Sequence, residues 1–204
     1  MQSAFAAGTA PTTRPVPAVT TEWPVVVDAA MQCELAGLIN RVLEKETTIG
    51  FPEPLPRAQA LALMAEMAAA VAGGEKHLLL FRAADGAIIG HVLFTQSALP
   101  NCRHIGEVSR VFIHPDHRGV HIIKRGLDAV LEKADEIGVE NIQLDVRAHT
   151  PIHRLWQSLG FQAIGIMKDY ARVKGQSFDG CFMYQSVAEL KRRKQQREAR
   201  TASS

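Results

Sequence analysis

Apolar residues recur along this chain with two periods, about 3.6 and 2, and the switches between them predict its elements. The β-branched run Pro24-Val-Val-Val-Asp28 predicts a first strand. Leu35, Leu38, Ile39, Val42 and Leu43 then fall at helical spacing through about Glu46. Ala58 to Ala72 is dense in Ala, Leu and Met, strong helix formers, and Gly73-Gly74 ends it. Met64 and Met67 read as core of that helix. Leu78–Ala83 and Ile88–Thr95 form a hairpin around Asp85-Gly86. Its second strand is apolar on both faces, which places it centrally under helices on each side, with His91 as a structural core group. The strand Ile105–Ile113, a helix from His121 to about Ile137 stopped by Gly138, and the strand Asn141–Val146 follow. Thr150 caps a short helix with Pro151 at its first position, and Gly160 ends it. Strands Phe161–Met167 and Ser177–Gln185 close the series around Lys174-Gly175. Strands interleaved with helices make this an α/β chain.

The most informative stretch is Glu107 to Lys124. A strand is stopped by His114-Pro115-Asp116, because proline lacks a ladder donor and biases its predecessor away from helix. An Arg118-Gly119 turn then opens a helix. Strand, turn and helix start together present backbone N–H groups and the helix dipole to an anion, so a polyphosphate fits there. Thr47 to Pro56, with its prolines and Gly50, reads as a loop between helices.

Composition bounds this picture. At 204 residues, 47% hydrophobic and 22% charged, the chain suits one globular domain with a substantial core. The net charge of +2 is concentrated in Glu189–Arg200, leaving a near-neutral body, which argues against a nucleic-acid binder. Residues 1–22 read as a disordered Ala/Thr/Pro extension, 23–187 as the domain, and 188–204 as a basic, solvated tail without an apolar face. The separated thiols Cys33, Cys102 and Cys181 point to a reducing, cytoplasmic setting, and neither a secretory signal nor a membrane span is evident. His114 and His117 flank a turn without a closed ligand set, so no metal is expected.

Arg118-Gly119-Val120-His121-Ile122-Ile123, together with Asn141–Arg147 and Ile152–Phe161, resembles the GNAT superfamily of N-acetyltransferases over about a third of the chain. The resemblance implies a central mixed, mostly antiparallel sheet of six to seven strands flanked by about four helices, and acetyl-CoA as co-substrate. It assigns the pantetheine arm to the main chain of Val111, Phe112 and Ile113, on a strand that splays from its neighbour. The pyrophosphate goes to the loop from Arg118 through Ile123, with Lys124 adding charge. His121 and Ile123 stand where the family keeps small residues. His149 takes the place of an asparagine that meets the cofactor. Trp156 takes the place of the tyrosine general acid, to pack against pantetheine or into the core.

Direct attack by an amine on a thioester needs a base and an oxyanion donor. Glu107 is the first choice of base, buried beside apolar neighbours, against a plain salt bridge with Arg110 or Arg147; His104 and His114 are its rivals. Tyr170 or water protonates the thiolate, or it leaves unaided. Ile49, Phe51 and Leu55 line the acceptor pocket or merely anchor a surface loop. The expected reaction is N-acetylation of a primary amine on a small molecule or amino acid, by a protein with no nucleic-acid or membrane partner and with a homodimer left open. Two alternatives stand beside it. One is transfer from a longer acyl-CoA or acyl carrier protein, for which Glu107-Val-Ser-Arg110 resembles a stretch of the N-acyl homoserine lactone synthases. The other is a degenerate module that senses acyl-CoA or binds a partner.

Overall fold

The computed structural model describes residues 18–45 and 50–202. In order these form β1 (Thr20–Glu22), α1 (Ala29–Leu43), α2 (Arg57–Ala72), β2 (His77–Arg82), β3 (Ile88–Gln96), β4 (Ile105–Ile113), α3 (Val120–Ile137), β5 (Asn141–Arg147), α4 (Pro151–Leu159), β6 (Gln162–Val173), β7 (Gln176–Ser186) and α5 (Val187–Ala202). The seven strands make one sheet in the order β1-β2-β3-β4-β5-β7-β6. β4 and β5 run parallel, whereas the other neighbours are antiparallel. This is the mixed α/β architecture that the resemblance implies, with one helix more than expected.

β3 lies near the middle because neither of its faces tolerates water: Ile88 to Phe94 are all buried. On one face Leu78, Leu80, Leu93 and Phe112 pack against Leu35, Leu38, Ile39 and Val42 of α1 and Met64 and Met67 of α2. On the other, Phe81, Val92 and Phe94 meet Ile122, Leu127, Val130 and Leu131 of α3 and Trp156 and Leu159 of α4. Each such large apolar side chain contributes on the order of 2 kcal/mol by leaving water. Gly126 lets α3 come this close, since a Cβ there would sit 2.6 Å from Phe81 Cζ.

The helix ends follow their local chemistry. Asp28 accepts from Met31 N at 2.8 Å and Thr150 Oγ1 from His153 N at 3.3 Å, while Gly138 and Gly160 end α3 and α4 with φ of 74° and 117°.

Two boundaries differ from expectation. Pro24–Asp28 is not a strand: Val25 is 80% and Val26 64% exposed, and the strand is Thr20–Glu22, inside the stretch assigned to the extension. An edge strand needs main-chain partners more than apolar side chains, and Glu22 also pairs with Arg82 at 2.8 Å. Residues 1–17 lie outside the described part. The basic C-terminal stretch is a helix docked on the body rather than a solvated tail. Val187 and Leu190 are buried, Lys191 pairs with Asp135, and Lys194 pairs with Asp128 at 3.4 Å. Two apolar residues at its start and cross-helix ion pairs replace the stripe that a sequence pattern would reveal.

His91 is fully enclosed on β3, stacked on Phe112 with ring centroids 4.9 Å apart, and neither ring nitrogen has a partner among the described residues. Burial, with the nearby Arg110 charge, pushes its pKa down from 6.5 to about 3. The folded state therefore carries it neutral while the unfolded chain protonates it below 6.5. Its contribution is intact above that pH and is lost as pH falls toward 3, at about 1.4 kcal/mol per unit. Denaturant melts of His91→Phe between pH 4 and 7 are expected to show a correspondingly shallower loss of stability in acid than the parent.

Candidate functional site

β4 leaves its parallel neighbour early. Ladder pairs join Ile105, Gly106 and Glu107 to Asn141, Ile142 and Gln143, and none follows. The cause lies on the opposite edge of β4. Leu93 faces Ser109 and His91 faces Phe112, so Val92 alone stands opposite Arg110 and Val111. That is a β-bulge, with Arg110 at φ 47°, and a bulge bends its strand and sharpens its twist. Val111, Phe112 and Ile113 thus run beside a gap, as expected for a splayed strand. Behind the gap lies an apolar crevice of about 10 Å³ lined by Val111, Ile123, Gly126, Leu127 and Trp156. It has room for one water at most and no polar wall to hold it. Trp156 therefore both borders the gap and belongs to the core, edge-on to Phe161 at 5.3 Å.

Past β4 the chain makes a tight turn over Pro115–His117, where His114 Nδ1 accepts from Asp116 N at 3.3 Å. Burial lowers the His114 pKa, and the Asp116 charge opposes this. Arg118 Nε donates to Ile113 O at 3.3 Å, tying the loop to the end of the strand. Gly119 then precedes α3, and no side chain caps that helix start. The two larger residues behave differently. The His121 ring folds back on the loop, such that a Cβ on Gly119 would lie 2.6 Å from His121 Cε1. Ile123 turns inward against the core instead. Ile122 is buried and its N–H donates to Gly119 O at 3.2 Å, so that amide is already engaged. Lys124 is half-buried beside them.

At the start of the gap, on β4 itself, Glu107 is solvent-exposed rather than buried beside apolar groups. His149, in the turn two residues past β5, is exposed and has a φ of 63°; its N–H donates to His153 Nδ1 at 3.1 Å. The loop before α2 is pinned by Asn40, which donates to Leu55 O and accepts from Leu55 N, both at 2.8 Å. Phe51 and Leu55 pack onto the α1–α2 core, and Ile49 lies outside the described residues.

The sequence model of the Acetyltransferase (GNAT) family matches residues 40–161, more than half of the chain. This protein is a member of the GNAT acetyltransferase family. No curated protein sequence matches it. Among solved structures, a candidate acetyltransferase from Acinetobacter baylyi ADP1 superposes with a TM-score of 0.70 at 20% identity, covering 83% of this chain and 92% of the other. A GNAT superfamily phosphinothricin acetyltransferase from Sinorhizobium meliloti in complex with AcCoA gives 0.68 at 20%, covering 82% and 88%. A ribosomal-protein-alanine N-acetyltransferase from Brucella melitensis gives 0.66 at 20%, covering 82% and 99%. At such identities the likeness is one of fold.

The family match stops at Phe161, and the part of this GNAT chain beyond it contributes a feature absent from the sequence reading. Tyr170 donates to Asp145 Oδ2 at 2.5 Å. Its ring reaches β5 by crossing β7 at Gly180, where any Cβ would be 2.4 Å from Tyr170 Cγ. A bulge in β6 between Met167 and Ala171, with Asp169 at φ 53°, aims it. Asp169 is itself fixed by Ser177 Oγ at 2.5 Å and by Arg172. Asp145 follows Gln143, the β5 partner of Glu107, on the same polar strand face. Its alternation was visible, but the register that brings it beside Glu107 is not local information.

Burial, the bond to Asp145, and the charges of Asp145 and Glu107 push the Tyr170 phenol up to about 12. At neutral pH the phenol therefore carries its proton. Ultraviolet titration of the chain's two tyrosines should show Tyr170 ionising near 12, and Asp145→Asn should bring it back toward 10. Removing the ring over the loop with His121→Ala is expected to tighten coenzyme A binding severalfold by calorimetry.

Proposed function

We propose that this protein transfers an acetyl group from acetyl-CoA to a primary amine of a small molecule or amino acid by direct attack. The observation that carries this reading is the parting of β4 from β5 immediately after Glu107, beside a bulge at Arg110. It leaves main-chain donors and acceptors of Val111 to Ile113 along an open gap that a pantetheine arm can fill as an added strand. The turn from Arg118 through Lys124, with the α3 dipole, suits the pyrophosphate. When bound, acetyl-CoA supplies the activated acyl group.

The chain's own part is positioning and proton transfer. Glu107, exposed at the fork, accepts the ammonium proton directly or through water, so that the amine attacks as a neutral nucleophile. Main-chain N–H groups at the bulge face the oxygen that gains charge. The Tyr170–Asp145 pair, with Phe182 edge-on to the phenol at 5.5 Å, forms the acceptor side of the cleft. This side combines an anionic centre with aromatic surface, which suits a cationic amine. The relatives' phosphinothricin and ribosomal-protein alanine acceptors are both amines, in keeping with this chemistry.

The His121 ring over the loop also favours a second reading, in which the module binds acyl-CoA without turning it over. Thiol release on mixing acetyl-CoA with an amine panel separates the two: tight cofactor binding without release by any amine would establish the sensor. For the enzyme, Glu107→Gln is expected to lower kcat by about a hundredfold with coenzyme A affinity nearly intact. Arg118→Ala is expected to weaken coenzyme A binding about tenfold. Unchanged turnover across neutral pH in the first variant would remove Glu107 from the mechanism.

A further inference from the structure

We propose that Phe182 and Tyr184 are specificity-determining residues for the acceptor, and that this acceptor is an amine borne on an aromatic or similarly flat apolar group with no carboxylate beside the nitrogen. The inference rests on the reading above that the amine attacks beside Glu107, and it names the class of amine. It starts from three rings left in water. Tyr170, Phe182 and Tyr184 are 38%, 37% and 39% exposed. They lie together: Phe182 is edge-on to Tyr170, and Tyr184 follows it two residues along β7 on the same face. Large apolar groups exposed singly need no explanation, whereas a contiguous set rimmed by polar residues marks a binding surface.

The ladders fix where this surface lies. Glu107 pairs with Gln143 and Gln143 with Tyr184, and two residues on Asp145 pairs with Phe182. Residues paired directly point to the same face of a sheet, so both carboxylates and both rings share one face. Leu144 and Met183, which alternate with them, point into the core on the other. The α1–α2 core covers the Glu107 face over β2 to β4, and among the described residues it takes in none from β5, β7 or β6. The rings are therefore open beside the fork rather than roofed by a helix.

Distance and charge select the occupant. Two strand spacings, about 10 Å, separate Glu107 from Tyr184. An ammonium and a phenyl ring joined by a two-carbon link cover about that span with their contacts, the nitrogen at Glu107 and the ring on Phe182 and Tyr184. Charge falls away along the same line. Glu107 and Asp145 are carboxylates open to solvent, whereas the ladder partners of Tyr184, Gln143 and Gln162, are neutral. Arg147, the next residue of this face on β5, holds its guanidinium carbon 4.1 Å from the Phe178 ring centre, toward the end of β7 away from Tyr184. A carboxylate beside the reacting nitrogen would thus meet two like charges, which selects against an amino acid and for a simple amine with an apolar body.

The test follows thiol release from acetyl-CoA by the full chain with three acceptors: phenethylamine, butylamine, which keeps the ammonium without the ring, and phenylalanine, which adds the carboxylate. Phenethylamine is expected to show a kcat/KM about tenfold or more above either of the others. Tyr184→Ala should cut the preference for phenethylamine over butylamine about five- to tenfold, through KM rather than kcat, and Tyr184→Phe should keep it. Wild-type protein that uses butylamine or phenylalanine as well as phenethylamine would overturn the assignment, whether or not any variant folds. An equal loss for phenethylamine and butylamine in Tyr184→Ala would mean a structural role and overturn it too. Wild-type protein that releases no thiol with any amine would overturn the transfer reading together with this one, whereas release with a different preference would overturn this one alone.

Discussion

One extra residue in β4 sets the geometry of the whole site. With Arg110 and Val111 opposite Val92, the strand bends after holding β5 for only three ladder pairs, and the sheet opens between two halves that are otherwise continuous. Opening a sheet is expensive, because each main-chain donor and acceptor freed from a neighbour must find water or another partner. The molecule tolerates it because each half is anchored elsewhere. β3 and β2 hold one edge of β4 under α1 and α2, and β7 holds β5 along its full length from Asn141 to Arg147. The gap is therefore a rigid feature, bounded by strands that cannot close on each other without breaking their outer ladders.

The two sides of the fork are supported in different ways. On the side proposed to take the pyrophosphate, the groups offered are amides and the helix dipole, so side-chain identity would matter mainly through what it obstructs, as His121 does over Gly119. On the side proposed to take the acceptor the opposite holds. Asp145, Tyr170 and Phe182 come from three strands, and their contact depends on Gly180, on the bulge in β6 and on the clamp around Asp169. Such a constellation is rigid to the extent that every support is present, and it lies largely beyond the segment that defines the family.

This contrast explains what could be read from the sequence. Elements whose signal is local were legible: the hairpin of β2 and β3, the Thr150-Pro151 start and Gly160 end of α4, and the strand-turn-helix at Arg118-Gly119. The places of Trp156 and His149 beside the cofactor are what the family resemblance implies and not a local signal. What was missed is non-local. β1 carries Thr, Thr and Glu, so nothing but pairing with β2 reveals it. The docking of α5 depends on Asp128 and Asp135, over fifty positions away on α3. Asp145 gained significance only from a register between β4 and β5, and the surroundings of Glu107 were misjudged because the fork that exposes it is a property of two strands.

The kinks of β6 reach further than the phenol they direct. β6 is a terminal strand of twelve residues, exposed along most of its length, with Ile164, Ile166 and Met167 open to solvent. A flat apolar border of that length would template pairing with any passing extended chain. Shifts of register at Ala163–Gly165 and Met167–Ala171 break its hydrogen-bonding rhythm, and Lys168, Asp169 and Arg172 put charge along it. The same irregularity that seats an aromatic group in the cleft thus guards the molecule's free margin against self-association, so straightening the strand to stiffen it would remove both protections together.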